Sequence, residues 1–248
     1  MEIGKTATGL TGYLSQHDGS RKAGYQPKMP ALDSFFIKRI PVWKRIFDIV
    51  VSLIALIVLF PVFILIATLI KTVSPGPSFF RQKRVGCGGA VFNLYKFRTM
   101  KSEADPDIHK QYLSKLIESC KENKNSGDPM IKLNNDTRII KFGNFIRASG
   151  LDELPQLLNV LMGQMSLVGP RPAIPYEVEH YKLWYKSRFD VVPGLTGLWQ
   201  ISGKNKLGFN EMMRLDIQYA IKRSFLLDCK ILLKTPIAVY SQLKEMKK

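Results

Sequence analysis

The densest concentration of reactive side chains lies in Arg147-Ala148-Ser149-Gly150-Leu151-Asp152-Glu153-Leu154-Pro155-Gln156. Pro155 is tolerated in a first helical turn, where amides have no intrahelical acceptor, so a helix is expected to start near Asp152. Two carboxylates then sit at the positive end of a helix dipole, which favours their charged form. An ionised Asp152 can act there as a nucleophile or as a hard oxygen ligand for Mg²⁺. The residues alone equally allow a plain N-cap, for which Asp is a preferred type. Arg138 and Arg147 upstream, and Arg171 in Gly169-Pro170-Arg171-Pro172 downstream, can bring guanidinium forks onto a phosphate near Asp152. Each arginine taken singly is an ordinary surface charge. His17, His109 and His180 all lie outside these segments, which argues against a His-based triad.

A membrane is the first element to consider for positioning this chemistry. From Ile46 to Ile70 the only charge is Asp48, and a straight helix of that length spans roughly 37 Å. The stretch starts too late and runs too long for a signal peptide, and no small-residue cleavage site follows it. Pro61 removes an intrahelical hydrogen bond and divides the segment into pieces that are each too short to cross. Lys38, Arg39, Lys44 and Arg45 precede it, and Lys71, Arg81, Lys83 and Arg84 follow it. The positive-inside rule places both flanks in the cytoplasm, which a kinked, re-entrant helix satisfies and a single straight crossing does not. A spanning helix merely bent at its proline stays open from the residues alone.

The remaining elements frame the site. Residues 1–40 form a polar arm with little periodicity and no visible chemistry. Residues 41–73 hold the membrane helix, and residues 74–248 read as one catalytic domain. Ser74-Pro75-Gly76-Pro77 stops the helix. Two strand-like runs then flank Gly86-Cys87-Gly88-Gly89, as in a β-hairpin whose second strand ends in the basic pair Lys96 and Arg98. That turn fits neither phosphate-binding glycine fingerprint and is assigned no ligand. Residues 103–125 read as a solvated polar helix and loop carrying His109 and Cys120. Helices are expected over Tyr176–Asp190 and Asn210–Ser224, followed by the apolar run LLDCKILLKTPIAVYSQL. Their mixed apolar and basic faces suit partly a packed core and partly the headgroup plane of a membrane.

The totals agree with an anionic partner. The 248 residues carry a formal net charge of +17 with 46% hydrophobic and 23% charged residues. Nucleic acid, an anionic membrane surface and phosphorylated substrates all fit a field of that sign. The three cysteines, Cys87, Cys120 and Cys229, are widely separated and lack metal-ligand spacing, so reduced thiols and no structural zinc are expected.

The strings KRIFDIVVSLIALIVLFPVF, PGPSFFRQKRVG, FNLYKFRTM, LDELPQLLNVLMGQMSLVGPRP, PGLTGLWQISGKN and RLDIQYAIKRSFLLDCKILLKT cover most of residues 41–236. In order and number they resemble the monotopic phosphoglycosyl transferases, also called bacterial sugar transferases or polyprenyl-phosphate hexose-1-phosphate transferases. The resemblance implies a mainly α fold with a small β-hairpin, a proline-broken re-entrant membrane helix and interfacial amphipathic helices. It implies transfer of a sugar-1-phosphate from a UDP-sugar to polyprenyl phosphate with release of UMP, through a phospho-sugar aspartate. Asp152 and Glu153 fall on the family's catalytic dyad, with Asp152 also the ligand for Mg²⁺. Lys96, Arg98, Arg147 and Arg171 fall on its substrate-binding basic positions. Phe60 stands before Pro61, where some relatives have Ser.

The implied location is the cytoplasmic face of the bacterial inner membrane, with anionic lipids as neighbours and nucleic acid not a partner. The transferred sugar and the role of Glu153 are not legible, and a homodimer stays open. Two rival classes are a glycosyltransferase that releases UDP, for which no Rossmann fingerprint is present, and a membrane-tethered module that binds polyanions through its charge.

Overall fold

The computed structural model describes residues 39–101, 138–203 and 207–246. The arm through residue 38 and the segment 103–125, with His109 and Cys120, lie outside the described residues. Helix α1 runs from Val42 to Val73 as one element with Pro61 inside it. The sequence divides this helix at Pro61, but a proline withholds a single amide, and here the ladder resumes on both sides. Among the described residues it is the one helix long and apolar enough to cross a membrane. It stops at Ser74, which is extended (φ −154, ψ 127) because the following Pro75 disfavours helical geometry at the residue before it.

Strands β1 (Phe79–Val85) and β2 (Val91–Phe97) form the expected antiparallel hairpin, in register from Phe79 opposite Phe97 to Val85 opposite Val91. A short 3₁₀ turn over Cys87–Gly89 joins them, with Gly88 and Gly89 at positive φ. After the undescribed segment come α2 (Gly143–Ala148), a 3₁₀ turn over Leu151–Glu153, and α3 (Gln156–Leu161). Strand β3 (Ser166–Val168) pairs in parallel with β4 (Gly194–Thr196), a small second sheet that the sequence did not announce. Its chains approach so closely that a Cβ on Gly194 would lie 2.0 Å from the Gly169 amide nitrogen, and one on Gly169 would lie 2.5 Å from the Val192 carbonyl oxygen.

Between these strands lie α4 (Pro175–Glu179) and a 3₁₀ run over Leu183–Asp190. The single helix expected over Tyr176–Asp190 is therefore broken. The chain extends at Lys182 (ψ 155), which lets Tyr181, Tyr185 and Phe189 turn into one aromatic cluster with Phe209. Helix α5 (Leu198–Ile201) precedes α6 (Phe209–Lys222) and α7 (Phe225–Met246), the last two close to the expected spans.

The chain is thus mostly helical, with two small sheets packed against α1. Along α1 the buried residues Lys44, Asp48, Ser52, Ile66 and Ile70 recur at helical spacing and face the rest of the protein. The opposite face is bare and apolar, with Ile57, Val58 and Leu65 each about two-thirds exposed. The first half of α1 packs through Phe47, Val51 and Leu56 on a core of Leu157, Val160, Leu167, Tyr219 and Ile231. Its second half packs on Phe97, Ile140 and Ile146, together with Leu151 and Leu154.

Polar contacts secure both ends. The Lys44 ammonium donates to Asp228 at 2.5 Å. The Asp48 carboxylate accepts from Ser166 Oγ and the Leu167 amide, each at 3.0 Å. Arg45 donates to the carbonyls of Val160 and Leu161 at the end of α3, both at 2.6 Å. At the far end Arg98 donates to the carbonyls of Ser74 and Pro75, at 2.9 and 2.7 Å, and Ser78 Oγ donates to Ala67.

Removing one member of a buried pair leaves the other charge without compensation. Asp228→Asn is therefore expected to destabilise the protein by about 3–5 kcal/mol, whereas the joint change Lys44→Met with Asp228→Leu should cost far less. Thermal inactivation in detergent checks this, and equal losses in the two variants would show that shape rather than charge governs the site.

Candidate functional site

The dyad segment has helical backbone from Leu151 onward, but its first turn is 3₁₀. Glu153 and Leu154 donate to the carbonyls three residues back, at Gly150 and Leu151, and the α-helix proper begins at Gln156 after Pro155. This corrects the expectation of an α-helical first turn at Asp152. Gly150 supplies the left-handed entry (φ 73) that turns the chain out of α2. The N-cap positions of the two segments are Gly150 and Pro155, and neither makes a side-chain capping bond. Asp152 is thus not an N-cap. Leu151 and Leu154, on either side of the carboxylates, pack into the cluster formed with the second half of α1.

Lys96 approaches from β2. Its ammonium donates to Glu153 Oε1 at 2.9 Å and stands 3.9 Å from Asp152 Oδ2. The three side chains are 19%, 36% and 11% exposed for Lys96, Glu153 and Asp152, so the aspartate is the most sheltered. Asn159, fully buried on α3, holds β2 in this place. It accepts from the Tyr95 amide at 3.0 Å and donates to the Asn93 carbonyl at 2.7 Å, so the strand bearing Lys96 is tied directly to the helix that follows the dyad. The sequence reading missed Asn159. An amide inside the apolar run Leu157-Leu158-Asn159-Val160-Leu161 was its signal, because a polar group there must find a partner.

The arginines distribute unevenly. Arg147 is exposed in the last turn of α2, five positions before Asp152. Arg98 is buried and donates to the carbonyls of Ser74 and Pro75 at the exit of α1. Arg171 is half-buried, and its carbonyl accepts from Arg188 at 2.6 Å. Arg84 entered the sequence reading only as one of the basic residues that follow the apolar helix, and not as a site residue. It is 4% exposed and donates to the Pro172 carbonyl at 2.9 Å and to Gln82. Burial first, and then the neighbouring Arg171 charge, push its guanidinium down to about 10, while Glu177 and Glu153 act the other way. Tyr176 stands in the same field. Burial and Glu177 push its phenol up to about 12 against the pull of Arg84 and Arg171, so it is neutral at physiological pH.

Two guanidinium groups, a neutral phenol, an ammonium and three carboxylates, those of Asp152, Glu153 and Glu177, therefore share one electrostatic neighbourhood. Cations so placed attract a phosphorylated ligand. Among the described residues no group of three or more His, Cys, Asp or Glu side chains could hold a metal ion. One or two carboxylates completed by substrate phosphate oxygens suit Mg²⁺, and Asp152 with Glu153 fit that donor set.

The chain matches the family model for bacterial sugar transferases over residues 37–242. The galactosyl transferase CpsE of Streptococcus agalactiae is 44% identical over 193 residues, covering 77% of this chain and 41% of that protein. The exopolysaccharide production protein ExoY of Sinorhizobium fredii is 38% identical over 200 residues, 79% of this chain and 84% of that one. The UDP-glucose:undecaprenyl-phosphate glucose-1-phosphate transferase of Xanthomonas campestris is 36% identical over 218 residues, 85% of this chain and 40% of that protein. The chain thus spans about two fifths of the first and third of these relatives and most of the second. A family match extending from before α1 into α7 is a match to the whole of the architecture described above, and the chain belongs to the bacterial sugar transferase family.

Proposed function

We propose that this chain transfers a sugar-1-phosphate from a UDP-sugar to polyprenyl phosphate, in two displacements through Asp152, as a first membrane step in building a polysaccharide. The observation that carries the reading is the Lys96–Glu153–Asp152 constellation packed, through Leu151 and Leu154, against the apolar helix. The names of relatives agree, since the Xanthomonas protein is a UDP-glucose:undecaprenyl-phosphate glucose-1-phosphate transferase.

In the first step an Asp152 carboxylate oxygen attacks the sugar-bearing phosphorus. The bond from that phosphorus to the bridging oxygen breaks, and UMP leaves with the electron pair. In the second step an oxygen of polyprenyl phosphate attacks the same phosphorus, the acyl phosphate bond breaks, and Asp152 is restored. A carboxylate suits this work because it is ionised at neutral pH without a general base, and its acyl phosphate stays reactive. Lys96 holds Glu153 and adds positive charge where phosphate oxygens gather, while Arg171 and Arg84 extend that field. Asp152 would hold Mg²⁺, which neutralises diphosphate charge when bound.

The lipid substrate sets the membrane geometry. A helix about 48 Å long exceeds the roughly 30 Å hydrocarbon layer, yet polar contacts tie both of its ends to one protein body. Those ties, with Pro61 between them, support a helix that enters the cytoplasmic leaflet and returns. Exposed Leu226, Leu233 and Ile237 of α7, interspersed with Lys230 and Lys234, suit an anionic headgroup layer.

Four outcomes are expected. A screen of UDP-sugars should yield UMP rather than UDP, and should stop on chelation of Mg²⁺ by EDTA. Withholding lipid acceptor should leave a mass increase of one sugar phosphate on the peptide containing Asp152; Asp152→Asn should abolish both label and UMP release with folding retained. A label on Glu153 instead would sink the assignment. Lys96→Met should lower kcat at least about tenfold at unchanged melting temperature, from loss of charge stabilisation. Finally, single cysteines at Arg39 and Lys101 in a cysteine-free background should react with an impermeant maleimide from the same side of the membrane, and labelling from opposite sides would establish a spanning helix.

A further inference from the structure

The segment from Met165 to Ile174 is buried at every position except Arg171. Four consecutive carbonyls within it accept from different donors. Pro170 accepts from the Gly194 amide at 2.8 Å, Arg171 from Arg188 Nη2 at 2.6 Å, Pro172 from Arg84 Nη1 at 2.9 Å, and Ala173 from the Val85 amide at 2.8 Å. Pro170 and Pro172 additionally fix their own φ. A main chain held this completely leaves the Arg171 side chain as the segment's one group open to a ligand.

The hold on Arg171 itself comes from a buried ion pair. Arg188 is 3% exposed and Asp216 is 0% exposed, and Arg188 Nη2 donates both to Asp216 Oδ2 and to the Arg171 carbonyl. Its other terminal nitrogen donates to the Tyr181 hydroxyl at 2.9 Å. Burial pushes the Asp216 carboxyl up, while Arg188, then the backbone and the guanidinium of Arg171, pull it back. Asp216 thus attracts Arg171 as well as Arg188, although it lies on α6, far along the chain from the dyad.

We propose that Arg188 and Asp216 are positioning residues for Arg171: the buried pair fixes the peptide of Arg171 so that its guanidinium is presented to the substrate phosphate. The pair touches no substrate and acts only through the arginine it holds. This rests on the reading of Arg171 as a phosphate-binding residue. A purely structural pair would serve the fold equally well with or without the Arg171 side chain, whereas a positioning pair loses its purpose when that side chain is removed.

A double-mutant cycle on the full-length protein separates the two roles. UMP release is measured with the UDP-sugar that the wild type turns over fastest, for Asp216→Asn, Arg171→Ala and the combination, with folding followed by near-ultraviolet circular dichroism. Asp216→Asn is expected to lower kcat about tenfold in the wild type and less than about twofold in the Arg171→Ala background, since residues acting as a unit are non-additive. The same factor in both backgrounds, or wild-type kcat for Asp216→Asn, would overturn the proposal. Normal turnover in Arg171→Ala alone would remove the phosphate-binding reading, and this inference with it. If Asp216→Asn does not fold, Tyr181→Phe removes the hydroxyl that accepts from Arg188, and the same cycle should show about a threefold loss confined to the background that retains Arg171.

Discussion

Placing a full charge in an otherwise apolar helix is costly unless a partner meets it, and α1 carries two such charges on one stripe. Lys44 finds Asp228 on α7, and Asp48 finds Ser166 and Leu167 on β3. These partners leave little freedom for the rotation of α1 or its position along its own axis. Slipping the helix by a residue would turn both charges toward its bare face and strand Asp228 in the core. Apolar attraction along α1 is non-directional, so it cannot set that register. The buried polar contacts can.

Once α1 is fixed, the site follows from packing. Leu151 and Leu154 share a cluster with the second half of α1, so the two carboxylates between and beside them inherit its position. Arg45 covers the carbonyls at the end of α3, and Asn159 within α3 fixes the strand that carries Lys96. The beginning of α1, the dyad segment and the hairpin therefore form one connected assembly, with the charged groups converging at its edge. None of these contacts joins neighbours in sequence. Lys96 and Glu153 are 57 residues apart, and Lys44 and Asp228 are 184 apart.

That separation explains what could be read beforehand. The hairpin, the apolar helix and the two long C-terminal helices were legible because period and turn chemistry are local. Asp152 and Glu153 stood out through their place in a Pro-containing helix start, and Lys96 through its strand. The donations of Arg98 to the carbonyls at the exit of α1 were not legible, because they join residues that only the fold brings together. The parallel pairing of β3 and β4 left almost no trace, since three-residue strands carry too little pattern. Arg84, Arg188 and Asp216 were equally silent, because a charge buried by distant partners is indistinguishable in sequence from one in water. The break at Lys182 arises from the demand of Tyr181, Tyr185 and Phe189 for a common aromatic cluster, a tertiary effect that overrides helical periodicity.

The seam between Gly169 and Gly194 bears on how such a chain can vary. A side chain on either residue would collide with backbone atoms, not with another side chain that could be shortened in exchange. No second substitution can therefore rescue the first, which makes the pair a dead end for compensatory change. Heritable variation can accumulate on the outer helix faces, where neighbours are few and pliable. At this seam it can only be purged, and the lineage is left with two residues that have no alternative.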